Sequence, residues 1–120
     1  MKVMLDTNLI FDVWLAREPF WPDSTRLLAR VEGGEIEGWI CPTTVTTLHY
    51  LARKVLGETK ARLRIEELLS PCQVGHMSAT TFTSALASDL SDFGDAVIEA
   101  VSVHAHIDYI AERNPKGFAQ

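Results

Sequence analysis

Lys2-Val3-Met4-Leu5-Asp6-Thr7-Asn8 follows the initial methionine, and the reading of this stretch decides the fold. Val3, Met4 and Leu5 form an apolar run without alternation, the pattern of a strand buried on both faces of a parallel sheet. The run gives out at a carboxylate, a hydroxyl and an amide. In open α/β sheets the carboxyl ends of strands face the ligand crevice, so Asp6 stands where a site would be. Asp, Thr and Asn are also good helix N-caps. On the tripeptide alone, a turn into a helix is the simpler reading.

Downstream, strand and helix patterns alternate. Leu9, Ile10, Val13 and Trp14 give one apolar face and predict a helix from Asn8 to Leu15. Arg17-Glu18-Pro19-Phe20-Trp21-Pro22 reads as a loop, because two prolines break a helix. Asp23 or Ser24 caps a second helix with Leu27, Leu28 and Val31 inward, ended by Gly33-Gly34. Glu37 to Cys41 reads as the second strand. Pro42 stops it, and Thr43 or Thr44 caps a third helix to Leu56 with Val45, Leu48, Leu51, Ala52 and Val55 on one face. Thr59 starts a fourth helix, which ends at Ser70-Pro71. Cys72 to His76 is the third strand. Ser78 caps a fifth helix to Leu90 with Phe82, Leu86 and Leu90 inward. Ser91-Asp92 opens a sixth helix, apolar on most sides through Ala96, Val97, Ile98, Val101 and Val103, and Asp108 to Ala111 is the fourth strand.

Strands separated by helix pairs give a parallel sheet with helices on both faces. Candidate positions are therefore the strand ends and helix starts at Asp6, Thr43 to Thr47, Asp92 to Asp95, and Asn114.

Composition narrows the classes. A chain of 120 residues, 47% hydrophobic, holds one domain and one core over residues 1–120. Its two cysteines, Cys41 and Cys72, make neither a disulfide framework nor a zinc site. No apolar run reaches the ~18 residues of a membrane span. The chain enters a strand directly, without a basic and an apolar leader region. A cytoplasmic protein with no membrane partner is expected. The net charge of −5 argues against a large phosphate-contacting surface. It leaves room for a small acidic site that holds a cation.

Asp92 and Asp95 lie three apart at a predicted helix start, which puts both carboxylates near one end. A capping arrangement with Asp92 as N-cap explains the same spacing. With Asp6 in the same cleft, converging carboxylates raise one another's pKa, and a hard divalent cation relieves the repulsion. Such an ion polarises a phosphoryl oxygen and lowers the pKa of bound water, as phosphodiester hydrolysis requires. A phosphatase with Asp6 as nucleophile, of haloacid-dehalogenase type, needs a second Asp two residues later; Asn8 stands there.

The order of Met4-Leu5-Asp6-Thr7-Asn8, Arg17-Glu18-Pro19-Phe20, Gly38-Trp39-Ile40, the helix with Tyr50, Asp92-Phe93-Gly94-Asp95-Ala96, Asp108-Tyr109-Ile110 and Arg113-Asn114-Pro115-Lys116 resembles PIN domains. The resemblance is to the nuclease subgroup related to toxins of type II toxin–antitoxin pairs, and it covers essentially the whole chain. It implies a three-layer α/β/α fold with a central parallel sheet of four to five strands. It also implies a Mg²⁺- or Mn²⁺-dependent endoribonuclease, with RNA as substrate, an antitoxin as partner and a homodimeric state. By position, Asp6 and Asp95 match metal-binding acids and Asp92 an extra acid of the subgroup. Asn8 matches the residue that helps hold the first acid, and Asn114 the late polar member of the site. The chain departs from the pattern where the second family acid falls near Thr47, and Gly94 stands where an acid is often found. Glu112 occupies a common Thr position, and the last short strand of relatives lies past Phe118. An acid set of Asp6, Asp92 and Asp95, extended by Glu112, then holds one ion. The alternative is a PIN-fold RNA- or protein-binding module whose site is incomplete.

Overall fold

Val3 and Leu5 face one side of the sheet and Met4 the other, and all three are buried. That alternation needs cover on both sides. The structure, a computed structural model, describes residues 1–112 and supplies it. The elements are β1 (Lys2–Leu5), α1 (Thr7–Leu15), α2 (Trp21–Glu32), β2 (Glu37–Ile40), α3 (Pro42–Leu56), α4 (Glu58–Leu69), β3 (Gln73–Val74), α5 (Ala79–Leu86), α6 (Phe93–His104) and β4 (Tyr109–Ala111). The four strands are parallel, in the order β3-β2-β1-β4.

This order follows from the handedness of crossovers. The chain steps from β1 to β2 to β3 in one direction, so right-handed connections put α1–α4 on one face. It then returns past β1 to lay down β4, and the reversal puts α5 and α6 on the other face. The two cores record this. Val3, Leu5 and Ile40 pack with Leu9, Leu27, Leu48 and Leu68. Met4 and Cys41 pack with Ala85, Ala96, Val97 and Val101. The result is a three-layer α/β/α fold whose strand order switches between β1 and β4.

Several boundaries and faces differ from the sequence expectation. Helix α2 begins at Trp21, not at Asp23, and Pro22 lies in its first turn. The missing N–H costs nothing there. Pro42 likewise opens α3, so it starts the helix as well as ending β2. The third strand shrinks to Gln73–Val74, both exposed at the sheet edge. Helix α5 ends at Leu86, short of Leu90. Phe82, Leu86 and Leu90, expected inward, are 40%, 74% and 44% exposed. The packing face of α5 is instead led by Ala85, small enough for the helix to lie close on α6. Phe82 stacks on Phe93, itself exposed, at 6.5 Å between ring centroids. Val55 and Val103 are also exposed. Periodicity says which residues share a face, not how far the layer beneath that face extends.

Gly38 marks a close approach of a helix to the sheet. A Cβ there would meet Val31 Cγ1 at 2.6 Å and Cys72 Sγ at 3.2 Å. Val31 is buried and β-branched, so it has little freedom to yield. Gly38→Ala is expected to destabilise the fold by about 1–3 kcal/mol, read as a lower urea midpoint at unchanged slope. An unchanged midpoint would show that α2 can move away from β2.

Candidate active site at the carboxyl ends of β1 and β4

Asp6 follows β1 directly and Glu112 follows β4. The register pairs Leu5 with Ala111, so the two acids leave neighbouring strands side by side. The Asp6 N–H donates to the Ala111 carbonyl at 3.0 Å, which ties the two strand ends together. This is the switch point of the sheet, where ligands of open α/β folds are met.

The Asp6 side chain also caps α1, accepting the Asn8 backbone N–H at 3.1 Å. The cap reading of the tripeptide therefore holds, and the cap fixes the carboxylate at the strand end, where a site would draw on it. Asn8 supports Asp6 through its main chain, and its residue is exposed. Thr7 Oγ1 lies 3.2 Å from Thr44 Oγ1, joining the start of α1 to the first turn of α3. Thr47, one turn further along α3, is exposed.

Asp92 caps α6, its carboxylate accepting the Asp95 N–H at 2.9 Å. Cap and candidate site coincide here too. The partial positive charge of a helix N-terminus favours both carboxylates. Burial, then the neighbouring Asp92, raises the Asp95 carboxyl above its ordinary range. Burial, then Asp6 and Asp95, does the same to Glu112. Glu112 therefore lies within electrostatic reach of both Asp6 and Asp95. Asn114 lies outside the described residues.

Glu112 had only a minor place in the sequence reading. Nothing local marks it; the pairing of β4 beside β1 brings it to Asp6. Among the described residues, no three acids, histidines or cysteines are grouped so as to hold a metal ion. The all-oxygen donor set nevertheless suits Mg²⁺ or Mn²⁺, since Mg²⁺ is held by one or two carboxylates and keeps several waters.

The raised carboxyls fix the sign of a pH effect. As pH rises through the ordinary carboxylate range, the unfolded chain releases its protons before folded Asp95 and Glu112 do. Their contribution to stability therefore falls with rising pH until the raised values are passed. Glu112→Gln is expected to flatten this fall in metal-free protein and to raise the urea midpoint at neutral pH. Titration of the midpoint between about pH 4 and pH 7 reads it directly. Identical curves for both proteins would separate Glu112 from the other acids.

A family profile described as PIN domain matches residues 2–116. A search among curated proteins gives no match. Among solved structures, a toxin–antitoxin complex from Klebsiella pneumoniae is similar, with 22% identity and a TM-score of 0.71 over 98% of this chain and 90% of that one. VapC20 of Mycobacterium tuberculosis, a sarcin–ricin-loop-cleaving toxin, gives 17% identity and a TM-score of 0.72 over 90% and 86%. VapBC2 from Rickettsia felis, bound to a DNA fragment from its promoter, gives 16% and 0.67 over 97% and 90%. These likenesses show a shared fold, and the profile spans nearly the whole chain: this protein belongs to the PIN-domain family.

Proposed function

We propose that the chain is a Mg²⁺- or Mn²⁺-dependent endoribonuclease that acts in the cytoplasm as the toxin of a toxin–antitoxin pair. The observation that carries this reading is the convergence of acids at the sheet's switch point: Asp6 and Glu112 side by side at strand ends, with Asp95 near enough to raise Glu112. Asp6, Asp95 and Asp92 would hold the ion, with Asn8 and Thr47 in support. Bound there, the ion supplies a Lewis acid for the phosphodiester and a water of lowered pKa. Asp6 is positioned by the N–H groups of α1, Asp92 by those of α6. Glu112, side by side with Asp6, is the residue suited to take the proton of an attacking water. Asn114 completes the polar set. The Klebsiella and Rickettsia relatives are a toxin–antitoxin complex and VapBC2 on promoter DNA. They support an antitoxin as partner of this chain, which itself pairs as a homodimer.

The test is incubation of the purified protein with single-stranded RNA in Mn²⁺, Mg²⁺ or EDTA. Cleavage in either metal and none in EDTA is expected. A second reading, a PIN-fold binding module without catalysis, is favoured by Thr47 in place of a second family acid. Calorimetric titration with Mn²⁺ separates the two: binding lost in Asp95→Asn supports the nuclease, and no binding by the native chain supports the module.

A further inference from the structure

Arg53, Lys54, Lys60, Arg62 and Arg64 lie along α3 and α4, and their surroundings differ. Arg62 Nε donates to Glu58 at 2.6 Å and Arg64 to Glu67 at 2.8 Å, both as solvated helical pairs. His49 also reaches Glu58 at 2.7 Å. These charges are neutralised locally. Arg53 and Lys54 have no acidic partner among the described residues and turn to an aromatic ring instead. Lys54 Nζ lies 4.0 Å from the Tyr50 ring centroid and donates to its hydroxyl at 2.7 Å. The Arg53 guanidinium lies 5.7 Å from the same centroid. Tyr50 is 50% exposed.

The position of this cluster gives it meaning. Thr43, Thr47, Tyr50 and Lys54 recur at intervals of four, three and four, so they form one stripe along α3. The stripe flanks Thr44, whose hydroxyl meets Thr7 beside Asp6. It therefore starts next to the acids and reaches Tyr50 and Lys54 roughly 9 and 15 Å further along the helix axis. An exposed aromatic ring flanked by unneutralised cations is what a single strand of nucleic acid needs: a stacking surface for a base and charge for the phosphates. Lys60 also has no acidic partner among the described residues; what sets Arg53 and Lys54 apart is that they share one exposed ring.

We propose that the α3 stripe is the track along which single-stranded RNA enters the acidic site, with a base on Tyr50 and phosphates on Arg53 and Lys54. The inference rests on the ribonuclease reading for its substrate. It is independent of catalysis in its test. In the free protein, Lys54 is held on Tyr50; RNA takes its place on the ring, and the ammonium moves to a phosphate oxygen.

The test is binding of a fluorescent single-stranded oligoribonucleotide, followed by anisotropy in EDTA so that no cleavage intervenes, over a range of salt. Tyr50→Ala is expected to weaken binding about tenfold, the usual loss of one stacked base. Tyr50→Phe keeps the ring and binds like the native chain. The double variant Arg53→Gln/Lys54→Gln lowers the slope of log affinity against log salt by about 1.4, from two phosphate contacts on a single strand. Lys60→Gln, on the neighbouring helix, leaves affinity and slope in place. All these side chains are exposed, and circular dichroism confirms that each variant folds. Loss of affinity in these variants with no cleavage in any metal would overturn the nuclease reading and leave the track standing. Cleavage by the native chain with unchanged RNA affinity in Tyr50→Ala and the double variant would overturn the track alone. Absence of RNA binding by the native chain overturns it outright, and binding of an acidic peptide in its place would assign the stripe to a protein partner.

Discussion

Asp6→Asn is expected to lower RNA cleavage in Mn²⁺ by about 10³-fold while leaving the fold intact. The two effects part because Asp6 does one job in the fold and would do a second in the proposed reaction. Its carboxylate oxygen accepts the Asn8 N–H at 3.1 Å, a role that an amide oxygen fills as well. Its charge is the other job, and asparagine removes it where a divalent ion would be held. Asp6→Ala removes both, so it should lose the same activity and about 1 kcal/mol of stability with the cap. Asn at this position also relieves the repulsion that helps raise Glu112, so the metal-free Asp6→Asn variant should unfold no earlier than the native chain. Initial rates on a labelled single-stranded RNA, beside urea midpoints, read both quantities. Native rates in Asp6→Asn would remove Asp6 from the chemistry and with it the proposed reaction.

Arg17→Met should destabilise the protein by about 2–4 kcal/mol, the largest expected effect on stability away from the site. Asp12 is on α1, is fully buried, and has Arg17 Nε 2.9 Å from its Oδ1. The Arg17 backbone N–H donates to the Asp12 carbonyl at 2.9 Å, and its guanidinium lies 4.8 Å from the Phe11 ring centroid. Arg17 thus closes the end of α1 with its main chain, its charge and its stem. Removal of the charge takes the Arg17 cation away from a buried carboxylate, and methionine keeps the packing on Phe11. The Arg17 side chain is 38% exposed, which holds the loss to the lower part of the range for buried pairs. The double variant Asp12→Leu/Arg17→Met should recover much of it, since apolar residues can replace a buried pair. Equal urea midpoints for native and Arg17→Met would show that the pair contributes little.

Asp12 also marks a limit of the sequence. Leu9, Ile10, Val13 and Trp14 define an apolar face for α1, and Asp12 falls outside it. The structure instead buries Leu9, Ile10, Phe11 and Asp12, leaving Val13 and Trp14 half-buried. Helix α1 is enclosed on more than one side, by α2 and α3 as well as the sheet, so a single apolar stripe does not describe it. The same limit applies to α5, where the large apolar residues were expected inward and the small Ala85 is the one that packs.

The sequence by itself determined the element types and their order, because these depend on short-range patterns. It determined that Val3, Met4 and Leu5 are a strand covered on both faces, that Asp6 stands at its carboxyl end, and that Asp92 and Asp95 open a helix. Only the tertiary structure decided what each of these meets. The strand order put β4 beside β1, and the pairing of Leu5 with Ala111 brought Glu112 to Asp6. Those residues are more than a hundred positions apart, and no local pattern encodes their register. Their meeting follows from right-handed crossovers and from the need to cover both faces of β1, which are properties of the assembled sheet.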